Sequence, residues 1–161
     1  MNRVIYIKLQ NYNIIMKGCY CLIIKNDSKK SIQIGKKLGK IQFEEGFYVY
    51  VGSAMNSLMA RVKRHLSEEK KLHWHVDYLL KQTEITDVIY NESTKKIECN
   101  LSQFIADNTT GITDFGCSDC DCKSHLYYFK NRNEAIECVL SAYDSIKMEC
   151  TFFKRQSDNI S

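Results

Sequence analysis

The sequence predicts a single domain of mixed α/β (α+β) class. Its 161 residues are enough to bury one hydrophobic core. Hydrophobic residues make up 44% of the chain and charged residues 26%, as in ordinary globular proteins. Short aromatic and β-branched segments alternate with segments of helical periodicity, and no apolar segment approaches the roughly 18 residues of a membrane helix.

Most of the predicted strands lie in the first third of the chain. Residues 3–9 alternate and predict an N-terminal edge strand, whereas the continuous apolar residues 18–24 are typical of a buried strand. Asn26-Asp27-Ser28 predicts a turn, and residues 31–35 predict a short strand after it. The strongest strand signal is residues 46–52, which are aromatic and β-branched with a glycine at each end.

Helical spacing begins after that strand. Residues 56–66 place apolar and basic side chains at i, i+3, i+4, i+7 and i+8, with Asn56 or Ser57 as the N-cap. The remaining predicted elements are a short helix at 76–81, a strand at 84–90, a helix at 96–107, a strand at 125–129 and a helix at 134–148. We expect the helix at 134–148 to dock its apolar stripe on the rest of the domain.

Positive charge is concentrated in one part of the chain. The formal net charge is only +4, but residues 29–74 contain ten Lys or Arg and four Glu, a net +6. Such a basic segment predicts a polyanionic partner. The N-terminus lacks the basic-then-apolar pattern of a secretory signal, so we expect a cytoplasmic protein whose eight cysteines are thiols or metal ligands.

Two strand ends and one helix carry the residues of greatest chemical interest. Gly18-Cys19-Tyr20 and Tyr50-Val51-Gly52 lie in the two strongest strands. The second leads to Arg61 on the predicted helix, and His65 follows four residues later on the same helical face. An arginine in this position suits a phosphate, because its planar fork matches two phosphate oxygens.

With these residues the sequence resembles the GIY-YIG endonuclease superfamily. The longer strings at 48–54, 64–66, 71–80 and 118–126 are similar to an uncharacterised, largely archaeal branch of it. The resemblance covers roughly residues 16–129. It therefore divides the chain into an N-terminal extension at 1–15, a nuclease-like domain at 16–130, and a C-terminal helix and tail at 131–161.

The resemblance implies a three-stranded, mainly antiparallel sheet flanked by helices. It also implies divalent-metal-dependent cleavage of a DNA phosphodiester, in DNA repair or processing. By motif position, Tyr20 and Tyr50 match the two tyrosines, of which a strand tyrosine helps to activate water, and Arg61 matches the arginine that steadies the phosphate. His65 matches an auxiliary polar position.

The resemblance also implies a glutamate that holds Mg²⁺ or Mn²⁺. Glu98 opens the helix after the strand at 84–90, which is where the superfamily places this residue, and Glu92 is its rival. Two features depart from the superfamily: Cys19 stands where isoleucine is usual, and a downstream asparagine has no clear counterpart. A non-catalytic module that binds DNA or assists repair is therefore the alternative function.

His73-Trp74-His75 is the second group of interest. In an extended segment, His73, His75 and Asp77 would share a face and could present two imidazoles and a carboxylate to a metal. In a helix they would diverge, and the histidines would contact phosphate or cap the helix. Both interpretations are open from sequence. The candidate substrate-binding residues are Lys63, Arg64, His73, His75, Asp119 and His125.

The third group is Cys117-x2-Cys120-x-Cys122-x2-His125, whose ligand types suit Zn²⁺. One residue between Cys120 and Cys122 is tighter than the usual spacing of zinc ligands, so the spacing favours free packing thiols or an active-surface element. We expect the other cysteines to be core or helix residues. These are Cys19, Cys21, Cys99, Cys138 and Cys150.

Overall fold

A five-stranded antiparallel sheet forms the centre of the computed structural model, which describes residues 16–154. The strands are β1 Gly18–Asn26, β2 Lys30–Ile34, β3 Gly39–Phe43, β4 Gly46–Ala54, β5 Glu84–Glu92, β6 Leu126–Phe129 and β7 Thr151–Phe152. The helices are α1 Gly35–Leu38, α2 Leu58–Leu66, α3 His75–Leu80, α4 Glu98–Ala106 and α5 Arg132–Ser145. The strand predicted at residues 3–9 lies outside the described residues.

The predicted α+β class is confirmed. The central sheet has the order β6-β4-β1-β5-β7, and β2 and β3 form a separate two-stranded sheet. Strands β4, β1 and β5 are the antiparallel core that the resemblance implies. The sheet has five strands rather than three because β6 pairs with the outer side of β4 and β7 pairs with the outer side of β5.

Both faces of the sheet are covered, and β1 shows why. Its alternate residues Tyr20 and Leu22 point into a core shared with α2, α3 and the small sheet. The intervening residues Cys19 and Cys21 point into a second core shared with α4 and α5. Every residue of β1 except Lys25 is buried, as the continuous apolar sequence predicts.

Helix α5 docks on the second core, as predicted from its apolar stripe. Ala135, Val139 and Tyr143 are fully buried on its inner side. The Tyr143 hydroxyl donates a hydrogen bond of 3.0 Å to the carbonyl of Cys19 in β1. Among residues 16–154, no helix combines the length and apolarity that a bilayer crossing requires.

Helix α2 is placed against the sheet by its cap and by its apolar side. The Ser57 hydroxyl accepts a hydrogen bond from the amide of Ala60, so Ser57 is the N-cap, one of the two residues predicted for it. Leu58 and Val62 are fully buried. Arg61 lies on the partly exposed side of the same helix, where it can reach the ends of the strands.

Gly52 in β4 lies against the buried ring of Tyr20. Tyr20 in β1 pairs with Gly52 across the sheet. A Cβ atom at position 52 would lie 2.5 Å from Cζ and the hydroxyl of Tyr20, whose side chain is fully buried and cannot move aside. Glycine is therefore required at this position for the Tyr20 ring to pack against β4.

Candidate active site

A cleft of about 400 Å³ lies beside the ends of β1 and β4. Its walls come from both strands, from α2, from the start of α3, from the start of α4 and from the loop before β6. A larger cavity of about 570 Å³ lies on the other side of His65, and neither tyrosine nor Glu98 lines it. Seven of the predicted site residues line the smaller cleft: Tyr20, Tyr50, Arg61, His73, His75, Glu98 and Asp119.

Tyr20 and His65 form a buried pair at the inner end of this cleft. The Tyr20 hydroxyl lies 2.8 Å from Nε2 of His65. Burial lowers the pKa of His65 to about 3, and the nearby Lys70 adds to the effect. Burial also raises the pKa of Tyr20, although the Arg61 guanidinium partly opposes the rise. At neutral pH the pair is therefore a phenol beside a neutral imidazole.

The low pKa of His65 predicts a pH-dependent stability. In the unfolded chain a histidine takes up a proton near pH 6.5, whereas folded His65 resists protonation down to about pH 3. The unfolded state thus binds more protons between these values, so stability falls as pH drops through this window. We expect wild type to lose about 2 kcal/mol from this histidine between pH 7 and pH 5.

Urea denaturation at pH 7, 6 and 5 measures this loss. His65→Gln should be less dependent on pH than wild type over this range. His75→Gln is the matched variant, because burial also lowers the pKa of His75 but its side chain is only partly buried, so its effect should be smaller. Equal pH dependence in wild type and His65→Gln would contradict the assignment.

Tyr50 lies next to this pair. Its ring centroid is 6.5 Å from that of Tyr20 and 6.2 Å from that of His65. Burial raises the pKa of Tyr50 well above the ordinary value, and the neighbouring Tyr20 adds to the rise. Tyr50 is therefore a neutral phenol whose hydroxyl can donate a hydrogen bond into the cleft.

Arg61 forms the cationic wall of the cleft. One of its guanidinium nitrogens donates to the carbonyl of Ser53 at 3.3 Å, and its guanidinium carbon lies 4.3 Å from the centre of the Trp74 ring. Arg64 lies over the same ring at 4.3 Å. Trp74 thus holds two arginines by cation–π contact, and most N–H groups of Arg61 are left to bind an anion.

Glu98 lies opposite, in the first turn of α4. Its Oε2 accepts a hydrogen bond of 2.8 Å from the Ser53 hydroxyl. Its Oε1 lies 2.9 Å from Nδ1 of His125, an ion-pair distance without the alignment of a hydrogen bond. The rival Glu92 is exposed at the end of β5 and does not line the cleft. Glu98, Asp119 and the Ser53 hydroxyl are the hard oxygen donors that Mg²⁺ or Mn²⁺ prefers.

The extended interpretation of His73, His75 and Asp77 is wrong. Helix α3 begins at His75, so the three side chains diverge. The Asp77 side chain is fully buried and accepts bonds of 2.8 and 2.9 Å from Arg64. It also accepts 2.9 Å bonds from the amides of His73 and Trp74, so both carboxylate oxygens are occupied. Asp77 therefore caps α3 and anchors Arg64, and it does not line the cleft.

The other candidate substrate-binding residues have different surroundings. Nδ1 of His75 accepts a bond of 3.0 Å from the amide of Gly116, which ties α3 to the loop before β6. Lys63 is exposed on α2, outside the residues that line the cleft. His125 is buried behind Glu98 and does not line the cleft. Sequence reasoning missed Ser53 and the stacking role of Trp74, although both lie within the strings that carry the resemblance.

A cysteine–histidine cluster lies directly behind Glu98. The ligand atoms of Cys99, Cys120, Cys122 and His125 all lie within 4.8 Å of one another, so the group could bind a metal ion. Cys99 takes the place predicted for Cys117. It is a helix residue at the start of α4, within what we expected of it, but its side chain is exposed and not packed in the core. Spacing within residues 117–125 could not reveal it, because Cys99 is 18 positions earlier; its adjacency to Glu98 was the available signal.

Comparison with known proteins assigns the chain to a family. A family model described as "Domain of unknown function DUF123" matches residues 19–148, from β1 through the end of α5. The match extends beyond the 16–130 domain predicted from sequence and includes the docked C-terminal helix. No curated protein and no solved structure matches the sequence.

Proposed function

The chain belongs to the family described as Domain of unknown function DUF123, and we propose that it is a divalent-metal-dependent DNA endonuclease of the GIY-YIG type. One observation carries the proposal. A single cleft brings together Tyr20, Arg61 and Glu98, and His65 is hydrogen-bonded to Tyr20 behind the cleft wall, although these residues come from β1, α2 and α4. These groups supply a proton path, an anion site and a carboxylate, which phosphodiester hydrolysis requires.

Arg61 binds the scissile phosphate. Its guanidinium presents paired N–H groups whose spacing matches two phosphate oxygens. The Trp74 ring and the carbonyl of Ser53 hold the guanidinium in place, so little side-chain freedom is lost when the phosphate binds. The same contacts keep the positive charge aimed at the oxygens that become more negative in the transition state.

Tyr20 and His65 handle the proton of the attacking water. The Tyr20 oxygen accepts a proton from water as its own proton passes to Nε2 of His65, 2.8 Å away. Burial disfavours an imidazolium at His65 in the free protein. A bound phosphate adds negative charge beside the pair and favours the protonated imidazole, so the base becomes effective when substrate is present.

Glu98 and Asp119 provide the oxygen donors for a divalent cation. When bound, Mg²⁺ or Mn²⁺ would supply charge neutralisation at the leaving oxygen of the phosphate. The Ser53 hydroxyl fixes one oxygen of Glu98, so the carboxylate already points into the cleft. Asp119 is exposed at the mouth of the cleft, where it can approach a cation from the other side.

The basic surface beside the cleft favours DNA as the substrate. Lys36 and Lys37 in α1 and Lys40 in β3 are exposed. Lys37 is close enough to His75 to help burial lower the pKa of that histidine, which places this basic hairpin next to the cleft wall. A strand of nucleic acid that enters the cleft would therefore meet positive charge on this side as well as at Arg61.

A DNA-binding module without catalysis is the second candidate. The observation that favours it is that both oxygens of the Glu98 carboxylate already have partners, His125 at Oε1 and the Ser53 hydroxyl at Oε2. In this function the basic hairpin and Arg61 bind the phosphate backbone, and no bond is cleaved.

A cleavage assay separates the two functions. Supercoiled, branched and single-stranded DNA are incubated with the protein in Mn²⁺, in Mg²⁺ and in EDTA. We expect nicking in the metal-containing reactions only, and loss of nicking in Glu98→Gln. Glu92→Gln is the matched control, because this exposed glutamate lies outside the cleft and should leave nicking unchanged. Salt-sensitive DNA binding without cleavage of any substrate would favour the non-catalytic module.

A further inference from the structure

We propose that Cys99, Cys120, Cys122 and His125 form a structural Zn²⁺ site. Three sulfurs and one imidazole nitrogen are a ligand set of closed, four-coordinate zinc sites. The four ligand atoms lie within 4.8 Å of one another, and all eight cysteines of the chain are free thiols. The proposal does not rest on the nuclease function, because it concerns a different set of atoms.

The ligand atoms of the cluster are near enough to one another to surround a single zinc ion. Zn–S bonds of about 2.3 Å and Zn–N bonds of about 2.0 Å place ligand atoms about 3.5 to 3.8 Å apart. In the protein, Sγ of Cys120 lies 3.4 Å from Nε2 of His125. The thiols of Cys99, Cys120 and Cys122 also interact with one another. Small side-chain adjustments would complete the tetrahedron.

The backbone folds so that ligands with unusual spacing converge. Gly116 adopts φ +72°, a conformation that favours glycine, and starts a tight loop. The amide of Cys120 bonds back to the carbonyl of Cys117, and the amide of His125 bonds to the carbonyl of Phe115 at 2.8 Å. The loop thereby folds onto itself, so Cys120 and Cys122 reach one centre despite the single residue between them.

The surroundings of His125 match those of a zinc-bound histidine. Its Nε2 faces the thiols, and its Nδ1 lies 2.9 Å from Oε1 of Glu98. A carboxylate on the far nitrogen of a metal-bound histidine orients the ring and favours the tautomer whose other nitrogen binds the metal. His125 is buried, its Nδ1 has no hydrogen-bond partner among residues 16–154, and the carboxylate of Glu98 lies at ion-pair distance from it.

This site differs in kind from the cation site proposed in the cleft. Sulfur donors favour Zn²⁺, whereas the carboxylate and hydroxyl oxygens of the cleft favour Mg²⁺ or Mn²⁺. Four protein ligands leave no open position, so the zinc joins segments and performs no chemistry. The segments it joins are the start of α4, which carries Glu98, and the loop that carries Ser118 and Asp119. Zinc therefore fixes two walls of the cleft relative to each other.

Metal analysis of the purified full chain tests the site directly. Elemental analysis by mass spectrometry is expected to find one zinc per chain in wild type. Cys99→Ser and Cys122→Ser should each lower the zinc content at least tenfold. Cys117→Ser is the matched control, because Cys117 belongs to the same loop but not to the cluster, and it should keep the full zinc content.

Two measurements on wild type keep the test independent of variant folding. Titration with a mercurial should release the zinc as the thiols react, and replacement by Co²⁺ should give the visible bands of a tetrahedral sulfur-rich site. Absence of zinc in folded protein whose eight cysteines are all reduced, as counted by thiol titration after denaturation, would overturn the proposal, as would stoichiometric iron. Loss of zinc in Cys117→Ser with retention in Cys99→Ser would replace this ligand set by the local one. Because no readout involves DNA, these outcomes do not depend on whether the chain is a nuclease.

Discussion

Arg61→Ala is expected to lower the rate of DNA cleavage by about 10²- to 10³-fold, the usual cost of removing one preorganised donor from a developing negative charge. Arg61 supplies the cationic wall of the cleft, and Trp74 and Ser53 hold it in position before substrate arrives. Single-turnover nicking of supercoiled DNA measures the effect on the chemical step. The melting temperature should change little, because the guanidinium is only partly buried.

Arg61→Lys separates the charge from the geometry. Lysine keeps the positive charge but presents no planar fork, so we expect it to restore DNA binding better than it restores the cleavage rate. DNA affinity as a function of salt concentration and the rate of nicking are each measured for wild type, Arg61→Ala and Arg61→Lys. If Arg61→Ala cleaves as fast as wild type while remaining folded, Arg61 does not contact the scissile phosphate.

Arg64→Met is expected to destabilise the fold by about 3 kcal/mol, the range observed when one member of a buried ion pair is removed. Asp77 is fully buried, and its carboxylate accepts four hydrogen bonds, two of which Arg64 donates. Burial alone would raise the pKa of Asp77, but the bonds from Arg64, Trp74 and His73 outweigh burial and lower it. Methionine fills the space of the arginine stem and leaves the carboxylate without its cation.

The pH dependence identifies the cause of this loss. In wild type the stabilising effect of ionised Asp77 is complete above about pH 5, decreases progressively below it, and is lost as pH falls through the lowered pKa of this carboxyl group. In Arg64→Met the protonated acid is the better buried form, so the stability difference between the two proteins should narrow as the pH falls toward 4. Urea denaturation at a series of pH values measures the free energy of unfolding of the two proteins. The double variant Arg64→Met/Asp77→Asn should be more stable than the sum of the single losses predicts.

The elements that depend on local pattern were predictable from sequence. Strand β1 is continuous and apolar, β4 is aromatic and β-branched, and α2 has a helical stripe with Ser57 as its cap. Each of these signals involves neighbours within a few residues, and the structure confirms all three. Strand β7 was missed because two residues are too few to show a period, and β3 was missed because it begins at Gly39, a residue type that is depleted in strands.

The residues of the cleft were predictable in part. Residues that meet in space but are far apart in the sequence could not be paired. Tyr20, Arg61 and Glu98 could be assigned because the resemblance supplies their relative positions, and all three line the cleft. Cys99 and the true partner of Asp77 could not be assigned. Cys99 meets Cys120 from 21 positions away, and Asp77 meets Arg64 from 13 positions away on another helix. Only the folded backbone brings such residues together.

Helix α2 carries both the anion site and the proton path, so the length of this segment is as important as its composition. His65 is hydrogen-bonded to Tyr20, and its ring lies 5.9 Å from the Trp74 ring, over which Arg61 and Arg64 also lie. An inserted or deleted residue near the start of α2 would rotate all that follows by about 100° about the helix axis. Insertions and deletions in this helix therefore remove the anion site and the proton path together, even when every individual side chain is retained.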